Sequence, residues 1–448
     1  MKKLFALVDC SAFYCSCERA FRPDLKNKPV CVLSNNDGCV VSLTPEVKEL
    51  GIGIGTPFYQ VKKTLEEFKV SVFSSNYCLY SDMSRRVMQV IERFSGQIEQ
   101  CSIDEVFVEF DVNENDIEHE RIRLTLLAEE LHKAVLKGTG IPVRVSIAET
   151  KTLAKVGSEY AKKLLKAGKL PCVCFWEHPD KINFLQNLSV ADVWGVGRKW
   201  SKKLQDEGYK TAYDFSLVDH KAIKKTSNII LEKTVLELQG VSCIPLDFNY
   251  EQRKSMIRSR MFGQKLNDPK LIRAAVATHI ARAAEKLREE NIVTGMITVF
   301  ISTGRHAEVR HYGHASAHLM RPTSDTFMLQ KVAHNLFRKC YKSKTPKGDE
   351  FKYVKAGIIF HELAENTGQQ ISLFDFINDE KTEIMDSLDT INKKYGPHSV
   401  VFASQGTPDS LRGIKAAKKD GAKWGMKRNL MSPRYTSVWA ELLEVKIG

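Results

Sequence analysis

The amino-acid sequence predicts an α+β protein of several domains, and three observations carry that prediction. Apolar residues recur with a period of two in some stretches and about 3.6 in others. The order strand, helix, hairpin, helix, strand occupies residues 3–148. A second mixed run of similar character fills residues 254–361. At 448 residues the chain has room for about three domains.

Lys3 to Asp9 reads as a short buried strand that ends in a carboxylate. Its apolar part, Leu4 to Val8, is too short for a signal peptide. No other apolar run reaches the length of a membrane span, so a cytoplasmic protein is expected. Pro23, Pro29, Gly38, Gly51, Gly53, Gly55 and Pro57 break residues 21–75 into short strands and small helices. Ser81 to Phe94 is helical, with Met83, Val87, Val90, Ile91 and Phe94 on one face. Ile98 to Phe110 alternates on either side of Ser102-Ile103-Asp104-Glu105, which predicts a hairpin with carboxylates at its tip. A helix over 119–137 and a strand from Pro142 to Ala148 complete a split βαβ sheet. Thr150 opens a Lys-rich helix to residue 166, and short helices surround Gly195-Val196-Gly197. The second run reads as a strand (254–262), a two-faced helix (269–290), strands (294–302 and 312–320), a helix (325–341) and a strand (352–360). Beyond residue 363 the chain turns polar and irregular, with a basic stretch at 412–434.

The net charge is +13, and residues 251–362 hold 21 Lys and Arg against 10 Asp and Glu. A basic excess confined to one quarter of the chain points to a polyanion, most simply nucleic acid. Eleven cysteines without a C-x-x-C pair argue for reduced, mostly buried thiols rather than a disulfide framework.

Asp9, Asp104 and Glu105 are the candidate reaction centre. Adjacent carboxylates repel unless cations lie between them. Three that converge can hold two Mg²⁺ ions, which favour oxygen ligands and retain water and substrate phosphates. Such a pair of ions serves an in-line phosphoryl displacement. By itself Asp-Glu in a turn is most often a solvated turn, so its surroundings decide.

Those surroundings match a family. Asp9-Cys10-Ser11-Ala12-Phe13-Tyr14 and Ser102-Ile103-Asp104-Glu105 resemble signature motifs of the Y-family DNA polymerases. The UmuC branch, the catalytic subunit of DNA polymerase V and its plasmid-borne relatives, is resembled more closely. The segments that carry this likeness are Phe21-Arg22-Pro23-Asp24-Leu25, Val32 to Val40, Phe73 to Tyr77, Thr150 to Lys155, Val193 to Arg198 and Met431-Ser432-Pro433-Arg434-Tyr435-Thr436. The resemblance implies a right-hand polymerase: palm (1–20 and 76–178), fingers (21–75), thumb (179–250), little finger (251–362) and C-terminal tail (363–448). It implies error-prone, template-directed addition of dNTPs opposite damaged template, without proofreading.

The same resemblance assigns roles. Asp9, Asp104, Glu105 and the backbone carbonyl of Cys10 fall on the metal ligands. Tyr14 falls on the steric gate under the incoming sugar, with Phe13 beside it in the nucleotide site, and Lys48 and Lys155 on phosphate contacts. Gly195 and Gly197 would offer backbone N–H groups to a DNA phosphate. Arg258 and Arg260 alternate on one strand and would grip the duplex backbone. Gln370-Ile371-Ser372-Leu373-Phe374 resembles a sliding-clamp-binding motif, and residues 397–437 imply a UmuD′-like dimer and a RecA filament as partners. The chain departs from the branch at Ser42-Leu43-Thr44-Pro45, where Ala-Arg-Asn-Ala is usual, and at Ser11, where Asn or Asp is common. These changes touch nucleotide affinity and base selectivity, not a metal ligand. The competing readings are a catalytically impaired DNA- and clamp-binding protein and a polymerase IV-like enzyme that works alone.

Overall fold

Five consecutive apolar residues make the first strand a central one. β1 (Lys2–Cys10) is buried on both faces, as expected of a strand covered by helices on either side. A computed structural model of the chain describes residues 2–248, 253–305, 307–366, 380–396, 399–406 and 428–442. The chain divides into two units, Met1–Tyr250 with Met426–Gly448, and Glu251–Gly425.

In the first unit Ala12 turns the chain from β1 into α1 (Phe13–Ala20). It does so in the left-handed region, at φ 46° and ψ 50°, which costs a residue with a Cβ about 1 kcal/mol. A small lobe follows: β2 (Val30–Leu33), β3 (Val40–Leu43), α2 (Pro45–Glu49), α3 (Phe58–Glu67) and β4 (Ser71–Ser74), with strand order β3-β2-β4. The unusual Leu43 and Pro45 both fit here. Leu43 is buried with Cys31, Leu33, Val40 and Val47. Pro45 opens α2, where a helix has no use for the missing N–H.

Next come α4 (Tyr77–Ile91), β5 (Ile98–Gln100), β6 (Glu105–Val112), α5 (Ile117–Thr139), β7 (Val143–Ala148), α6 (Lys151–Lys166) and β8 (Cys172–Cys174). The main sheet has the order β5-β6-β1-β7-β8. Side chains alternate along β1. Leu4, Ala6, Val8 and Cys10 pack with residues of α4 and α5, whereas Phe5 and Leu7 pack with Leu153, Ala154 and Ala161 of α6. Helix α4 starts four residues before the expected Ser81, because the Asn76 side chain accepts the Leu79 N–H at 3.4 Å and caps it. Five short helices, α7 (Lys181–Asn187), α8 (Arg198–Asp206), α9 (Ala212–Ser216), α10 (His220–Thr226) and α11 (Ile229–Leu238), extend the α6 core.

The second unit runs β9 (Ser255–Leu266), α12 (Pro269–Glu289), β10 (Ile292–Ser302), β11 (Tyr312–Thr323), α13 (Thr326–Cys340) and β12 (Tyr353–Glu365). Its antiparallel sheet has the order β11-β10-β12-β9, and the two helices share one core with it. A last helix, α14 (Glu380–Tyr395), is tied to α12 by an Arg288–Asp389 ion pair at 2.6 Å. The stretch expected as one tail, 363–448, is therefore not one body: β12 runs on to Glu365, α14 joins the second unit, and residues 428–442 belong to the first. Polarity alone hid this, because the last segment is held by hydrogen bonds together with the buried Tyr435 ring rather than by a continuous apolar face. Gln370 to Phe374 lie outside the described residues. Among the described residues no helix is long and apolar enough to cross a membrane.

Helix α6 lies close on the sheet because Gly157 has no side chain. A Cβ there would stand 2.0 Å from Ser146 Oγ and 3.0 Å from Phe175 Cβ. Gly157→Ala should destabilise the first unit by about 2 kcal/mol through overpacking. The expected reading is a lower urea midpoint at unchanged m-value. An unchanged midpoint would show that α6 is free to lift from β7.

Candidate active site

Strand register builds the site. Asp9 pairs across the sheet with Glu105 of β6 on one side and Arg144 of β7 on the other. The row lies on the α6 side, in phase with Phe5 and Leu7. Asp104 precedes Glu105, and its carbonyl accepts the Cys10 N–H at 2.9 Å, which ties the hairpin to the end of β1. The Ser102 hydroxyl donates to the Asp104 carboxylate at 2.5 Å.

Helix α6 supplies the other side. The Thr150 side chain caps it by accepting the Leu153 N–H at 3.1 Å, and that cap sets its phase. Lys151, Lys155 and Ser158, spaced four and three apart, thereby share the sheet-facing side. Lys155 Nζ lies 2.6 Å from Glu105 Oε2, Arg144 Nη2 lies 2.6 Å from Asp9 Oδ2, and Ser158 Oγ reaches Asp9 at 3.5 Å. Lys151 is buried, bonded to the Glu99 carboxylate and at 2.8 Å to the Pro245 carbonyl. Burial pushes the Asp9 carboxyl up from its ordinary range; Arg144 pulls it back, and the charges of Glu105 and Asp104 add to the rise. Among the described residues no three Asp, Glu, His or Cys side chains close on a common point, since Asp9 and Glu105 lean towards Arg144 and Lys155.

Tyr14, in the first turn of α1, stacks on Tyr80 with ring centroids 4.4 Å apart and meets Tyr77 edge-on at 5.9 Å. Burial raises its hydroxyl pKa, and Tyr77 and the charge of Asp104 add to that. Phe13 and the Cys10 side chain are buried in the core on the α4 and α5 side, so only the backbone of Cys10 is placed to serve the site. Lys48 is exposed on α2. Gly195 has a packing reason of its own: φ is 92°, and a Cβ there would meet Thr234 Oγ1 at 2.7 Å. Gly197 precedes α8 with open space about it. Trp194, next to Gly195, lies 5.8 Å from the Lys155 nitrogen and 6.3 Å from the Phe107 ring.

In the second unit Arg258 and Arg260 share a face, but it is the face turned towards α12, while Ile257 and Met261 take the exposed side of β9. Burial and the charges of Arg282 and Arg260 lower the Arg258 pKa to about 10, and burial together with the three arginines lowers that of His279 to about 3. Sequence reasoning missed Arg144, Ser158, Lys151 and Trp194. For Arg144 there was a signal: a cation inside the apolar strand Val143–Ala148 needs a partner.

The fold is that of Y-family DNA polymerases. The solved structure of the Y-family DNA polymerase chimera Dbh-Dpo4(243-245)-Dbh matches with a TM-score of 0.62 over 81% of this chain and 100% of that one, at 20% identity. Residues 8–159 match the impB/mucB/samB family model, residues 253–373 the model of that family's C-terminal domain, and residues 382–445 a domain of unknown function, DUF4113. Protein UmuC of Salmonella typhimurium (strain LT2) is 38% identical over 99% of this chain and 100% of its own. Protein SamB of Salmonella typhimurium is 35% identical over the same shares. DNA polymerase IV 1 of Bacillus subtilis (strain 168) is 25% identical over 87% of this chain and 90% of its own. The chain belongs to the impB/mucB/samB family, the UmuC branch of the Y-family DNA polymerases.

The Asp9–Arg144 pair gives a pH prediction. Asp9 has a raised folded-state pKa, so its contribution to stability is complete below the ordinary carboxylate range and is lost as pH rises through the raised value. Arg144→Ala removes the opposing cation and raises the pKa further. The variant should be less stable than the wild type by about 3 kcal/mol near pH 8, with the gap closing towards about pH 4. Urea unfolding in a chelating buffer at both pH values measures it, and a gap independent of pH would mean that Arg144 acts by packing.

Proposed function

We propose that this DNA-directed DNA polymerase, of the error-prone translesion type, joins dNTPs to a primer end at the row formed by Asp9, Asp104 and Glu105. The observation that carries the reading is the register Asp9 opposite Glu105, with Asp104 at the adjoining turn and Lys155 bonded to Glu105. The primer 3′-hydroxyl gives up its proton to solvent, its oxygen bonds to the α-phosphorus of the dNTP, the bond from that phosphorus to the bridging oxygen breaks, and pyrophosphate leaves.

Nucleotidyl transfer in this family depends on divalent metal. The donors here are all oxygen, three carboxylates and the Cys10 carbonyl, a set that suits two Mg²⁺ ions. When bound, such ions lower the pKa of the 3′-hydroxyl and neutralise the leaving group. Lys155, held at 2.6 Å by Glu105, is within reach to serve as a point charge for the triphosphate. Lys48 on α2 would approach it from the fingers. Tyr14 presents a flat ring, braced by Tyr80, that leaves no room for a 2′-hydroxyl. Phe13, with its ring centroid 5.9 Å from that of Tyr14, acts on the nucleotide through it.

Primer–template DNA is the polyanion that the basic second unit fits. Arg258 and Arg260 lie in a cluster with Arg282 and His279 whose mutual repulsion a phosphate would relieve. Gly197 at the start of α8 and Gly195 before it would meet the backbone of the duplex. The clamp-like segment Gln370 to Phe374 and the likeness of residues 397–437 support dependence on a sliding clamp, a UmuD′-like dimer and a RecA filament. All eleven cysteines are unpaired, which suits the cytoplasm.

Primer extension across an abasic template site tests the reading, with and without those partners. Wild type should extend, best with the partners present, and Asp104→Ala should lose at least about a thousandfold in rate, as removal of a ligand to catalytic charge does. Extension by Asp104→Ala at the wild-type rate, or none by the wild type under any condition while DNA binding persists, would overturn it.

A further inference from the structure

The segment 428–442 returns to the first unit, and its contacts concentrate behind Tyr14. It first joins the small lobe: the Ser74 N–H donates to the Leu430 carbonyl at 2.9 Å, the Leu430 N–H to Ser74 Oγ at 3.0 Å, and Met431 forms a parallel bridge with Ser74. It then reaches the start of α4, where Asn76 Nδ2 donates to Ser432 Oγ at 3.0 Å and to the Pro433 carbonyl at 3.1 Å. Asn76 is the cap of the helix that carries Tyr77 and Tyr80. Further on, Tyr435 stacks on Phe21 at the end of α1, centroids 4.6 Å apart and planes within 9°. One short segment thus holds both helices whose aromatic side chains surround Tyr14.

At the centre of these contacts is a buried carboxylate. Glu18 of α1 is fully buried, and its Oε1 accepts from the Tyr80 hydroxyl at 2.7 Å and from the Ser432 hydroxyl at 3.1 Å. Burial pushes its carboxyl up to about 7, against the pull of those two hydrogen bonds and of Arg22. A buried carboxylate holds its position only while its donors stay in place, so the tail hydroxyl fixes Glu18, Glu18 fixes the Tyr80 hydroxyl, and the Tyr80 ring lies flat on Tyr14.

We propose that the C-terminal segment sets the sugar selectivity of the polymerase, with Ser432, Glu18 and Tyr80 as positioning residues that hold Tyr14 from behind. The inference rests on the reading of Tyr14 as the steric gate. None of the three needs to touch the nucleotide. Their effect is to deny the Tyr14 ring the small retreat that would admit a 2′-hydroxyl. The motif Met431 to Thr436 thereby acquires a physical role, closing the back wall of the nucleotide site.

Competition between a ribonucleotide and the matching deoxynucleotide for one primer end, in full-length protein, tests the inference. Both compete for the same folded molecules, so partial unfolding of a variant cancels from the ratio. Tyr14→Ala should raise ribonucleotide use strongly. Ser432→Ala, and Tyr80→Phe, which keeps the ring and loses the hydroxyl, should each raise it by about tenfold, the worth of one hydrogen bond to a carboxylate. In a Tyr14→Ala background neither should add more than about twofold, because residues that act through one group are not additive. If Tyr14→Ala raises the ratio while Ser432→Ala and Tyr80→Phe leave it at the wild-type value, the inference fails and the steric gate stands. Equal increments in the Tyr14→Ala background would also overturn it, by showing that the tail acts elsewhere. No change in Tyr14→Ala itself would remove the steric gate, and the inference with it.

Discussion

The constraint on which the rest depends is the repulsion of carboxylates gathered at neighbouring strand ends. Opposed residues of an antiparallel pair stand about 5 Å apart at Cα, where two like charges repel by about 3 kcal/mol at an effective dielectric of 20. The chain answers with cations from two other elements, Arg144 on the adjoining strand and Lys155 on the helix across the sheet. Those elements must therefore be held at fixed height. The Thr150 cap, the absence of a side chain at Gly157 and the apolar run of β1 are all devices for doing so.

Much of this was legible in the sequence. The continuous apolar run before Asp9, the alternation around Asp104-Glu105 and the Thr150 cap each point to an element that the structure contains. Arg144 could have been read from its place in an apolar strand. The Glu18–Tyr80–Ser432 contact could not, because 414 positions separate Ser432 from Glu18 and nothing in local periodicity links them. The facing of Arg258 and Arg260 was missed for a related reason. Alternation fixes that two residues share a face of a strand, but which face the helices cover depends on distant packing.

The division of the last stretch of chain has the same origin. Composition marks residues 363–448 as polar throughout, yet polar segments can dock when their donors and acceptors are matched one by one, as Ser74, Asn76 and Glu18 match Leu430, Ser432 and Pro433. The family model over residues 382–445 spans both α14 in the second unit and the segment docked on the first. The last part of the chain is thus shared between the two units.

The central claim, that Asp9, Asp104 and Glu105 form one oxygen-donor centre, is most directly tested by counting bound Mn²⁺, a probe for Mg²⁺ sites. The count is made by electron paramagnetic resonance on the protein with primer–template and a non-reactive dNTP analogue. The account predicts about two ions per molecule in the wild type and a clear loss in Glu105→Ala and Asp9→Ala. An unchanged count in both variants would contradict it.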